Sequence, residues 1–458
     1  MTHVHLIGIG GAGLSAIALV LLERGYTVSG SDRQISPLAQ RVRQAGAQVF
    51  LGHSPENVHG ADIVVRSSAI PDDNPEVQAA QQAGIPVLKR ADYLGRLMSD
   101  QATLAVAGTH GKTTTTAMIA WVLTTLEQDP SYIIGGVSAN LGTNAHAGKG
   151  EIFVVEADEY DRMFLGLNPD LALVTNIEHD HPDCYPTPEE FYQAFSEFAR
   201  RLTPDGTLLV CGDDPGASRL GREAAGWGVR VLRYGLQSQE YEYRASALEP
   251  NRVGGYSFHA SRAGRSVHVH LQVPGRHNAS NALAALATAD QMGLEWGQAA
   301  QALGQFSGTG RRFEILGQVG GITLIDDYAH HPTEIRSTLA AARSRYPRSR
   351  IWAVWQPHTY SRTRALLDQF RTAFEDADRV LVTEIYAARE TAPRNGFSGK
   401  QAAGIINRPQ VEFTPALDQA AEFLLDHLES GDVVLVLSAG DAVRISAKVL
   451  EALQERQA

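Results

Sequence analysis

The segment that decides the fold reads Ala107-Gly108-Thr109-His110-Gly111-Lys112-Thr113-Thr114-Thr115-Thr116. It follows the apolar run 103–106 and precedes a helical pattern that reaches about Leu126. This order predicts a strand, a glycine turn and a helix N-terminus, where backbone N–H groups and the helix dipole favour a bound triphosphate. Lys112 adds a cation for the outer phosphates, and the Thr113 hydroxyl suits Mg²⁺. The candidate ATP-binding residues are Gly108, Thr109, His110, Gly111, Lys112, Thr113 and Thr114.

The loop is shorter than the usual phosphate-loop pattern G-x-x-x-x-G-K-[ST]. Its first glycine, Gly108, comes only three residues before Gly111, and position 106 is valine. A tight strand-to-helix turn with a surface lysine is therefore the alternative interpretation of this segment.

Composition limits the classes of protein that need to be considered. A chain of 458 residues exceeds a single core and indicates two to four domains. The net charge of −11 argues against a nucleic-acid partner, because binding to a phosphate backbone needs a basic surface. The two cysteines, the absence of a charged leader and the lack of a long apolar stretch lead us to expect a cytoplasmic protein with no membrane span.

A second glycine motif lies near the N-terminus. The strand 4–7 is followed by Gly8, Gly10 and Gly13 in the spacing G-x-G-x-x-G, and a second strand ends at Ser31-Asp32. The motif suits an NAD-dependent oxidoreductase, but the same turn can hold any diphosphate at a helix N-terminus. Ser67-Ser68 follows the fourth strand, where ligands bind in open α/β sheets, and a simple turn is the less favoured alternative.

Strands alternate with helical patterns along most of the chain, which predicts an α/β protein with parallel sheets. The second strand-helix series opens after residue 98, and a hinge-like glycine segment with two arginines precedes a third α/β series near residue 310. We therefore expect three domains, covering residues 1–98, 99–309 and 310–458.

Carboxylates and histidines follow two neighbouring strands of the central domain. The strand 152–155 leads into Glu156, with three more acids by Asp161, and the strand 171–176 leads into His181. Both segments reach the sheet edge that carries the phosphate loop, where oxygen ligands suit Mg²⁺. Glu156 is the favoured ligand, whereas Asp158, Glu159 and Asp161 are equally compatible with a solvated turn. Histidine is an unusual magnesium ligand, so His181 could instead act on a water.

These motifs together resemble the Mur ligase family, and the resemblance covers nearly the whole chain. Its carriers are Gly8-Ile9-Gly10-Gly11-Ala12-Gly13, Gly108 to Thr115, Glu156-Ala157-Asp158-Glu159, Asn176 to His181, His277-Asn278 with Asn281, Arg311-Arg312-Phe313, Asp327-Tyr328-Ala329-His330-His331-Pro332 and Gln356-Pro357-His358. The short phosphate loop is similar to the family's own form.

The resemblance implies an N-terminal Rossmann-like domain for a UDP-sugar, a central P-loop ATPase domain and a C-terminal Rossmann-like domain for an amino acid. The implied activity joins L-alanine to the lactyl carboxylate of UDP-N-acetylmuramate through an acyl phosphate, with ATP and Mg²⁺ or Mn²⁺, two ions in all. A monomer or weak homodimer is expected. A ligase that recycles murein tripeptide is the alternative within the family, and a nucleotide-sensing binding protein is a further alternative outside it.

The resemblance also implies roles for individual residues. The implied catalytic residues are Lys112, Glu156, His181, His330 and Arg362, and the implied metal ligands are Thr113, Glu156 and His181. ATP would also contact His277, Asn281, Arg312 and Asp327. L-alanine or the transferred phosphate would contact Tyr328, His330, His358 and Arg362. The UDP-sugar would contact Gly10, Gly11, Ala12, Gly13, Ser31, Asp32, Ser67 and Ser68.

Two residues depart from the pattern of the alanine-adding branch of the family. Tyr160 stands where serine is more usual, and Glu156 to Asp161 is typical of the recycling branch. Thr359 stands where an arginine is expected after His358. The segments Gln356 to Arg362 and Ile385 to Ala388 nevertheless favour the alanine-adding branch.

Overall fold

The computed structural model describes residues 2–394, 396–407 and 410–456, and the strands of these residues form three sheets. This confirms the α/β class and the three-part architecture expected from the sequence. Met1 and residues 457–458, at the outer ends of the first and third proposed domains, lie outside the described residues. The proposed domain boundaries near residues 98 and 309 stay predictions. Over the described part of the chain, no helix combines the length and apolar character needed to cross a bilayer.

The first sheet is parallel, with strand order β3-β2-β1-β4-β5. Its strands are β1 (His3–Ile7), β2 (Thr27–Asp32), β3 (Gln48–Leu51), β4 (Ile63–Arg66) and β5 (Val87–Lys89). Its helices are α1 (Ala12–Glu23), α2 (Pro37–Gln44), α3 (Pro75–Gln82) and α4 (Arg90–Leu97), with a 3₁₀ turn over Pro55–Val58. The first glycine motif connects β1 to α1.

The central sheet has the strand order β15-β14-β13-β12-β11-β10-β6-β9-β7-β8. Its strands are β6 (Ala102–Ala107), β7 (Ser131–Ile133), β8 (Ala145–His146), β9 (Ile152–Glu156), β10 (Leu171–Val174), β11 (Thr207–Cys211), β12 (Arg230–Gly235), β13 (Tyr243–Pro250), β14 (Tyr256–Arg262) and β15 (Arg265–His270). Its helices are α5 (Lys112–Thr125), α6 (Pro188–Ala199), α7 (Pro215–Gly226), α8 (Arg276–Gln291) and α9 (Trp296–Gly304), with a 3₁₀ segment over Tyr160–Gly166.

The third sheet has the strand order β16-β17-β21-β18-β19-β20. Its strands are β16 (Glu314–Val319), β17 (Ile322–Asp327), β18 (Ile351–Trp355), β19 (Arg379–Val382), β20 (Val411–Phe413) and β21 (Val433–Leu437). Its helices are α10 (Pro332–Arg345), α11 (Tyr360–Ala365), α12 (Leu367–Phe370), α13 (Gly399–Gly404), α14 (Leu417–His427) and α15 (Val443–Glu455).

Strand register explains why distant sequence motifs meet at the phosphate loop. In the central sheet β6 lies between β9 and β10 and pairs with both in parallel. Val106 is level with Glu156 on β9, and Ala107 is level with Val174 on β10. The segments that follow all three strands therefore leave the same edge of the sheet, as open α/β folds require of a ligand site.

The apolar cores are divided unequally among the sheets. One continuous core joins buried side chains of the first sheet, such as Leu6, to those of the central sheet, such as Leu104 and Phe153. The third sheet has separate cores on its two faces, around Leu435 and Val434 respectively. The third sheet is thus packed as a body of its own beside the other two.

Candidate functional site

The phosphate loop is held in shape by its glycines and by the segment after β10. Gly108 and Gly111 have φ angles of 137° and 81°, which other residues rarely adopt, and a Cβ on Gly108 would lie 1.9 Å from Thr175 Oγ1. The His110 backbone N–H donates to Asn176 Oδ1 at 2.8 Å, and the His110 carbonyl accepts from Thr175 Oγ1 at 2.6 Å. The loop backbone is therefore held by the segment after β10, and the side chains of Thr109 and Lys112 add further contacts.

Lys112 opens α5 and reaches back over the loop. Its Nζ donates to the carbonyls of Gly108 and Thr109 and lies 2.8 Å from Glu159 Oε2. Burial would lower the pKa of Lys112, but the carboxylate of Glu159 outweighs burial and raises that pKa above its usual value. Lys112 is consequently a fixed cation beside the place where the outer phosphates of a nucleotide would lie.

Thr113 and Glu156 form the hydroxyl and carboxylate pair expected of a magnesium site. Thr113 Oγ1 donates to Glu156 Oε1 at 2.9 Å, and the backbone N–H of Gly135 donates to Glu156 Oε2 at 2.6 Å. A Cβ at Gly135 would lie 2.4 Å from Glu156 Oε2, so the carboxylate sits in a cradle that only glycine leaves open. Burial raises the pKa of Glu156 against the opposing influence of Lys112. These oxygens fit a hard divalent cation.

His181 lies near two other carboxylates. Its Nε2 is 3.6 Å from Glu159 Oε1 and 3.7 Å from Asp180 Oδ2. Burial lowers the pKa of His181, but the carboxylates of Asp180 and Glu159 outweigh burial and raise it. A second cation next to His181 would draw its oxygen ligands from Glu159 and Asp180, which fits a divalent ion less directly than the Thr113–Glu156 pair does.

A cleft between α8 and α10 begins at the phosphate loop. The residues that line it include His110, Gly111, Thr113, Thr114, His277, Asn281, Arg312 and Asp327. The protein atoms packed around His277 in the open cleft lower the pKa of its imidazole to about 4, although the residue itself is exposed to solvent, and a neutral ring suits the face or edge of an uncharged base. His277 and Asn281 do share one face of α8, as their spacing predicts.

Asp327 ends β17 at the far wall of this cleft. Its two carboxylate oxygens accept the backbone N–H groups of Ala329 and Phe313, both at 2.7 Å. Burial raises the pKa of Asp327 to about 6, although Arg312 opposes the shift. Asp327 therefore shapes the turn after β17 and also faces the nucleotide cleft.

Arg362 joins the third sheet to the central sheet. From α11 its Nε donates to Asp180 Oδ1 at 2.6 Å, and its Nη2 lies 3.3 Å from His181 Nδ1. Its Nη1 lies 2.9 Å from His358 Nδ1. The ion pair is nearly dry, since the side chains of Asp180 and Arg362 are each 5% exposed. The structure thus brings together His181, His358 and Arg362, which the sequence separates by up to 181 residues.

His330 and Tyr328 complete this cluster from the loop between β17 and α10. The His330 ring lies 5.7 Å from the His358 ring and its Nε2 lies 4.0 Å from Asp180 Oδ2. Burial lowers the pKa of His330 to about 4 and that of His358 to about 3. Both imidazoles are therefore neutral near pH 7, and each already uses Nδ1, with His330 Nδ1 2.9 Å from the Tyr328 carbonyl and His358 Nδ1 beside Arg362.

The first glycine turn lies at the edge of the first sheet, away from the phosphate loop in sequence and on a different sheet. The Gly10 N–H donates to Asp32 Oδ2 at 2.9 Å, and Gly11 caps α1. Ser67 lies beside Gly8, since a Cβ there would be 3.2 Å from Ser67 Cβ. Ala12 and Gly13 open α1 at the same edge, whereas Ser68 Oγ lies 3.5 Å from Met163 Sδ of the central sheet.

Ser31 behaves differently from its neighbours at this edge. Its side chain is fully buried, and its hydroxyl donates to Glu76 Oε2 at 2.5 Å. Its carbonyl accepts the backbone N–H of Gly8 at 2.8 Å. The geometry supports a role for Ser31 in shaping the turn, and its direct contact with a UDP-sugar stays a prediction.

Several residues in these clusters escaped the sequence analysis. Asp180 and Glu178 lie within the segment quoted as Asn176 to His181, so the carboxylates after β10 were a usable signal. Glu159 is buried, at 1% exposed, where a solvated turn was an equal alternative. Arg90 packs over Gly13, and its Nη2 lies 3.1 Å from Asp158 Oδ2. No sequence motif around Arg90 indicates that it belongs to a site. Glu334 lies in the first turn of α10, and its Oε1 is 3.2 Å from His110 Nδ1.

Fold and site together define a nucleotide-binding α/β enzyme whose reactive groups come from two sheets. Family models match the chain in succession: Mur ligase family, catalytic domain, over residues 3–102; Mur ligase middle domain over 106–289; and Mur ligase, glutamate ligase domain, over 311–440. The chain belongs to the Mur ligase family.

Individual proteins of this family are similar to the chain over nearly its full length. The UDP-N-acetylmuramate–L-alanine ligase of Roseiflexus sp. (strain RS-1) is 43% identical over 99% of this chain and 100% of its own length. The crystal structure of UDP-N-acetylmuramate-alanine ligase from Thermotoga maritima is similar with a TM-score of 0.83 at 29% identity, covering 100% of both chains. The murein peptide ligase of Psychrobacter arcticus 273-4 gives a TM-score of 0.74 at 26% identity, covering 99% of both chains.

Proposed function

We propose that this chain is an ATP-dependent ligase that joins L-alanine to the lactyl carboxylate of UDP-N-acetylmuramate in peptidoglycan precursor synthesis. The names of the full-length relatives support this activity. The observation that carries it in this molecule is the buried contact of Arg362 with Asp180 and His181. We call Tyr328, His330, His358 and Arg362 the amino-acid cluster. Through Arg362 this cluster contacts His181, which lies 3.6 Å from Glu159, the partner of Lys112.

The chemistry needs these two clusters to be adjacent. A carboxylate is a poor electrophile, so one lactyl oxygen would attack the γ-phosphorus of ATP, and the bond from that phosphorus to the β-phosphate oxygen would break to release ADP. The amine of L-alanine would then attack the acyl carbon, the amine would lose a proton, and phosphate would leave. A closed, dry site protects the acyl phosphate from water.

Each cluster has groups suited to its step. Lys112 would neutralise charge that grows on the phosphoryl oxygens, and Arg362 would stabilise the same charge from the opposite side. His330 and His358 are neutral and lie within the amino-acid cluster, so either could accept a hydrogen bond from the amine and orient it for attack. Tyr328 would line the pocket for the amino acid.

A divalent cation belongs to this proposal. Thr113 and Glu156 would hold Mg²⁺ or Mn²⁺ next to the phosphates, and His181 would hold a second ion with carboxylate help. When bound, such ions polarise the phosphoryl group and offset its negative charge. The adenine would lie against His277 and Asn281.

The remaining assignments concern the rest of the nucleotide and the sugar. Arg312 would contact a phosphate and Asp327 the ribose of ATP. The UDP-sugar would bind along the first glycine turn, with Asp32, Ser67 and Ser68 at its edge. We further propose a cytoplasmic monomer or weak homodimer with domains over 1–98, 99–309 and 310–458.

Release of phosphate from ATP tests the proposal. The full chain is assayed with UDP-N-acetylmuramate, L-alanine and Mg²⁺, and each component is omitted in turn. We expect phosphate release only when every component is present. Release that depends on neither UDP-N-acetylmuramate nor L-alanine would show that the chain is not this ligase.

Two further arms separate the alternatives. Murein tripeptide replaces L-alanine in one arm, and we expect little turnover with it, since faster turnover than with L-alanine would favour the recycling activity. NADH binding is measured in the other arm. The oxidoreductase alternative is not favoured, because the glycine turn lies in a chain of the Mur ligase family and Asp32 already accepts the Gly10 N–H.

A further inference from the structure

The side chain of His110 points away from the loop that carries it and lies between two carboxylates. Its Nε2 is 3.0 Å from Glu178 Oε2, and its Nδ1 is 3.2 Å from Glu334 Oε1. Glu178 follows β10 of the central sheet, whereas Glu334 lies in the first turn of α10 in the third sheet. His110 therefore contacts both bodies, across 224 residues of sequence to Glu334.

The arrangement requires a charged imidazole. Carboxylate oxygens only accept hydrogen bonds, so each ring nitrogen of His110 must carry a hydrogen to satisfy its neighbour. Burial lowers the pKa of His110, but Glu178 and Glu334 outweigh burial and raise it to about 9. The side chain is 13% exposed, so this charge-assisted contact is largely shielded from water.

A second bond runs parallel to the first. Thr333 Oγ1, at the start of α10, donates to Glu178 Oε1 at 2.8 Å. His110, Glu178, Thr333 and Glu334 thus form a closed set of contacts between the phosphate loop and α10, which we call the loop–α10 bridge.

The far end of the bridge holds the loop that carries His330. Glu334 Oε2 accepts the backbone N–H groups of His330 and His331 at 3.1 and 3.3 Å. The phosphate loop and the loop with His330 are therefore connected through a single carboxylate, Glu334.

The same atoms also have the spacing of a metal site. His110, Glu178 and His331 offer ligand atoms within 4.8 Å of one another. However, both nitrogens of His110 face carboxylates, and Nδ1 of His331 accepts the Thr333 N–H at 3.3 Å. A protonated His110 satisfies these carboxylate contacts without a metal ion.

We propose that His110 is a positioning residue that docks the third sheet onto the phosphate loop and so places His330 beside the transferred phosphate. This inference rests on the proposed ligase function for its kinetic test. It assigns to the His110 side chain a role other than contact with ATP, because the loop backbone is held by Thr175 and Asn176 without that side chain.

The test compares His110→Gln with wild type in the full chain. Glutamine cannot donate to both carboxylates at once, and it removes the charge that lies between them, although Arg312 Nη1 still lies 3.9 Å from Glu334 Oε1. We expect kcat/KM for L-alanine to fall about 10- to 100-fold, as a misplaced catalytic group would cause. The Kd for a non-hydrolysable ATP analogue should stay within about threefold, because the proposed phosphate contacts come from the loop backbone, which Thr175 and Asn176 hold without the His110 side chain.

Two more variants make the comparison specific. Thr333→Val removes the parallel bond without changing charge, so it should lower the same kcat/KM by a smaller factor. His146→Gln is the matched control, because His146 also lies between two carboxylates, Glu23 and Asp129, but is 40% exposed and remote from the site. It should leave kinetics unchanged.

A structural readout separates this inference from the proposed function. Small-angle scattering with the ATP analogue should give a larger radius of gyration for His110→Gln than for wild type, whether or not wild type ligates L-alanine. The inference is overturned if the Kd of His110→Gln for the ATP analogue rises by the same factor as its kcat/KM falls. It is also overturned if neither kcat/KM nor the radius of gyration differs from wild type. Absence of ligation by wild type would overturn only the proposed function, and the scattering comparison would still decide the inference.

Discussion

Burial distinguishes acidic residues that look alike in the sequence after β9. Glu159 is almost fully buried and pairs with Lys112, whereas the Asp158 side chain is 44% exposed and Asp161 is exposed. Only the fold places Glu159 under the phosphate loop. The chemistry of the site is therefore set by which carboxylates lose water, because a dry carboxylate holds its partner cation more strongly.

Lys112→Ala tests the main cation of the phosphate loop. The change removes the contacts with Gly108, Thr109 and Glu159 and the charge proposed to face the phosphates. We expect kcat to fall by about 100-fold or more, as for loss of one electrostatic contact in a transition state. Phosphate release measures the effect. The control is Lys149→Ala at an exposed lysine, which should retain wild-type turnover. Full turnover by Lys112→Ala would contradict the role.

Thr113→Val tests the proposed ligand pair of the divalent cation. Valine keeps the shape of threonine but removes the hydroxyl that lies 2.9 Å from Glu156 Oε1. We expect the Mg²⁺ concentration for half-maximal phosphate release to rise about 10-fold or more, since one oxygen ligand is lost. Chelation of the metal should abolish turnover of the wild type.

The control for this change lies in the same helix. Thr124 is near the C-terminal end of α5 and is exposed, so Thr124→Val should leave the Mg²⁺ dependence unchanged. If Thr113→Val has the same Mg²⁺ dependence as wild type, the hydroxyl is not a ligand and the Thr113–Glu156 pair is structural.

At the scale of elements, the strand-turn-helix units were predictable from the sequence. The two glycine motifs mark the turns after β1 and β6, because positive φ angles at Gly8 and Gly111 need glycine. The buried support behind these turns was not predictable. Glu76 is fully buried in α3, and it accepts hydrogen bonds from Ser31 and Asn57, which come from two other elements.

Glu76→Gln tests this support through acid stability. The hydrogen bonds from His5, Ser31 and Asn57 outweigh burial and lower the pKa of Glu76 from 4.5 to about 2. The folded-state pKa is the lower one, so the stabilisation is complete above pH 4.5 and is lost as pH falls towards 2. The shift corresponds to a contribution on the order of 3 kcal/mol. We expect Glu76→Gln to unfold at lower denaturant concentration at pH 7 and to lose less stability between pH 6 and 3.5.

An exposed glutamate gives the reference for that experiment. Glu451 lies on α15 and is exposed, so Glu451→Gln should follow the acid dependence of the wild type. Denaturant unfolding is recorded at each pH. The transition at the lowest denaturant concentration is assigned to the sheet with the smallest free energy of unfolding. An unchanged acid dependence in Glu76→Gln would show that Glu76 contributes no such stabilisation.

At the scale of the whole molecule, the sequence predicted each sheet but not how the third sheet meets the second. The contacts that join them connect residues far apart along the chain, such as Asp180 and Arg362, which are 182 residues apart. Local periodicity carries no information on such pairs. The family resemblance named Arg362, but the structure was needed to identify Asp180 as its partner. Because the third sheet has its own cores, we expect polar contacts such as this one to contribute to its docking.

The ion pair of Asp180 and Arg362 is the strongest single test of that docking. Asp180→Asn leaves a buried guanidinium without its counter-ion, which costs about 3–5 kcal/mol in buried pairs. We expect the third sheet to unfold at lower temperature in calorimetry, and ligase turnover to fall because Arg362, the neighbour that His181 and His358 share, loses the carboxylate that holds it. Glu189→Gln is the control, since its ion pair with Arg219 is about half exposed and solvent screens it, so the unfolding temperature should stay close to that of the wild type. Unfolding of Asp180→Asn at the wild-type temperature would mean that other contacts dock the third sheet.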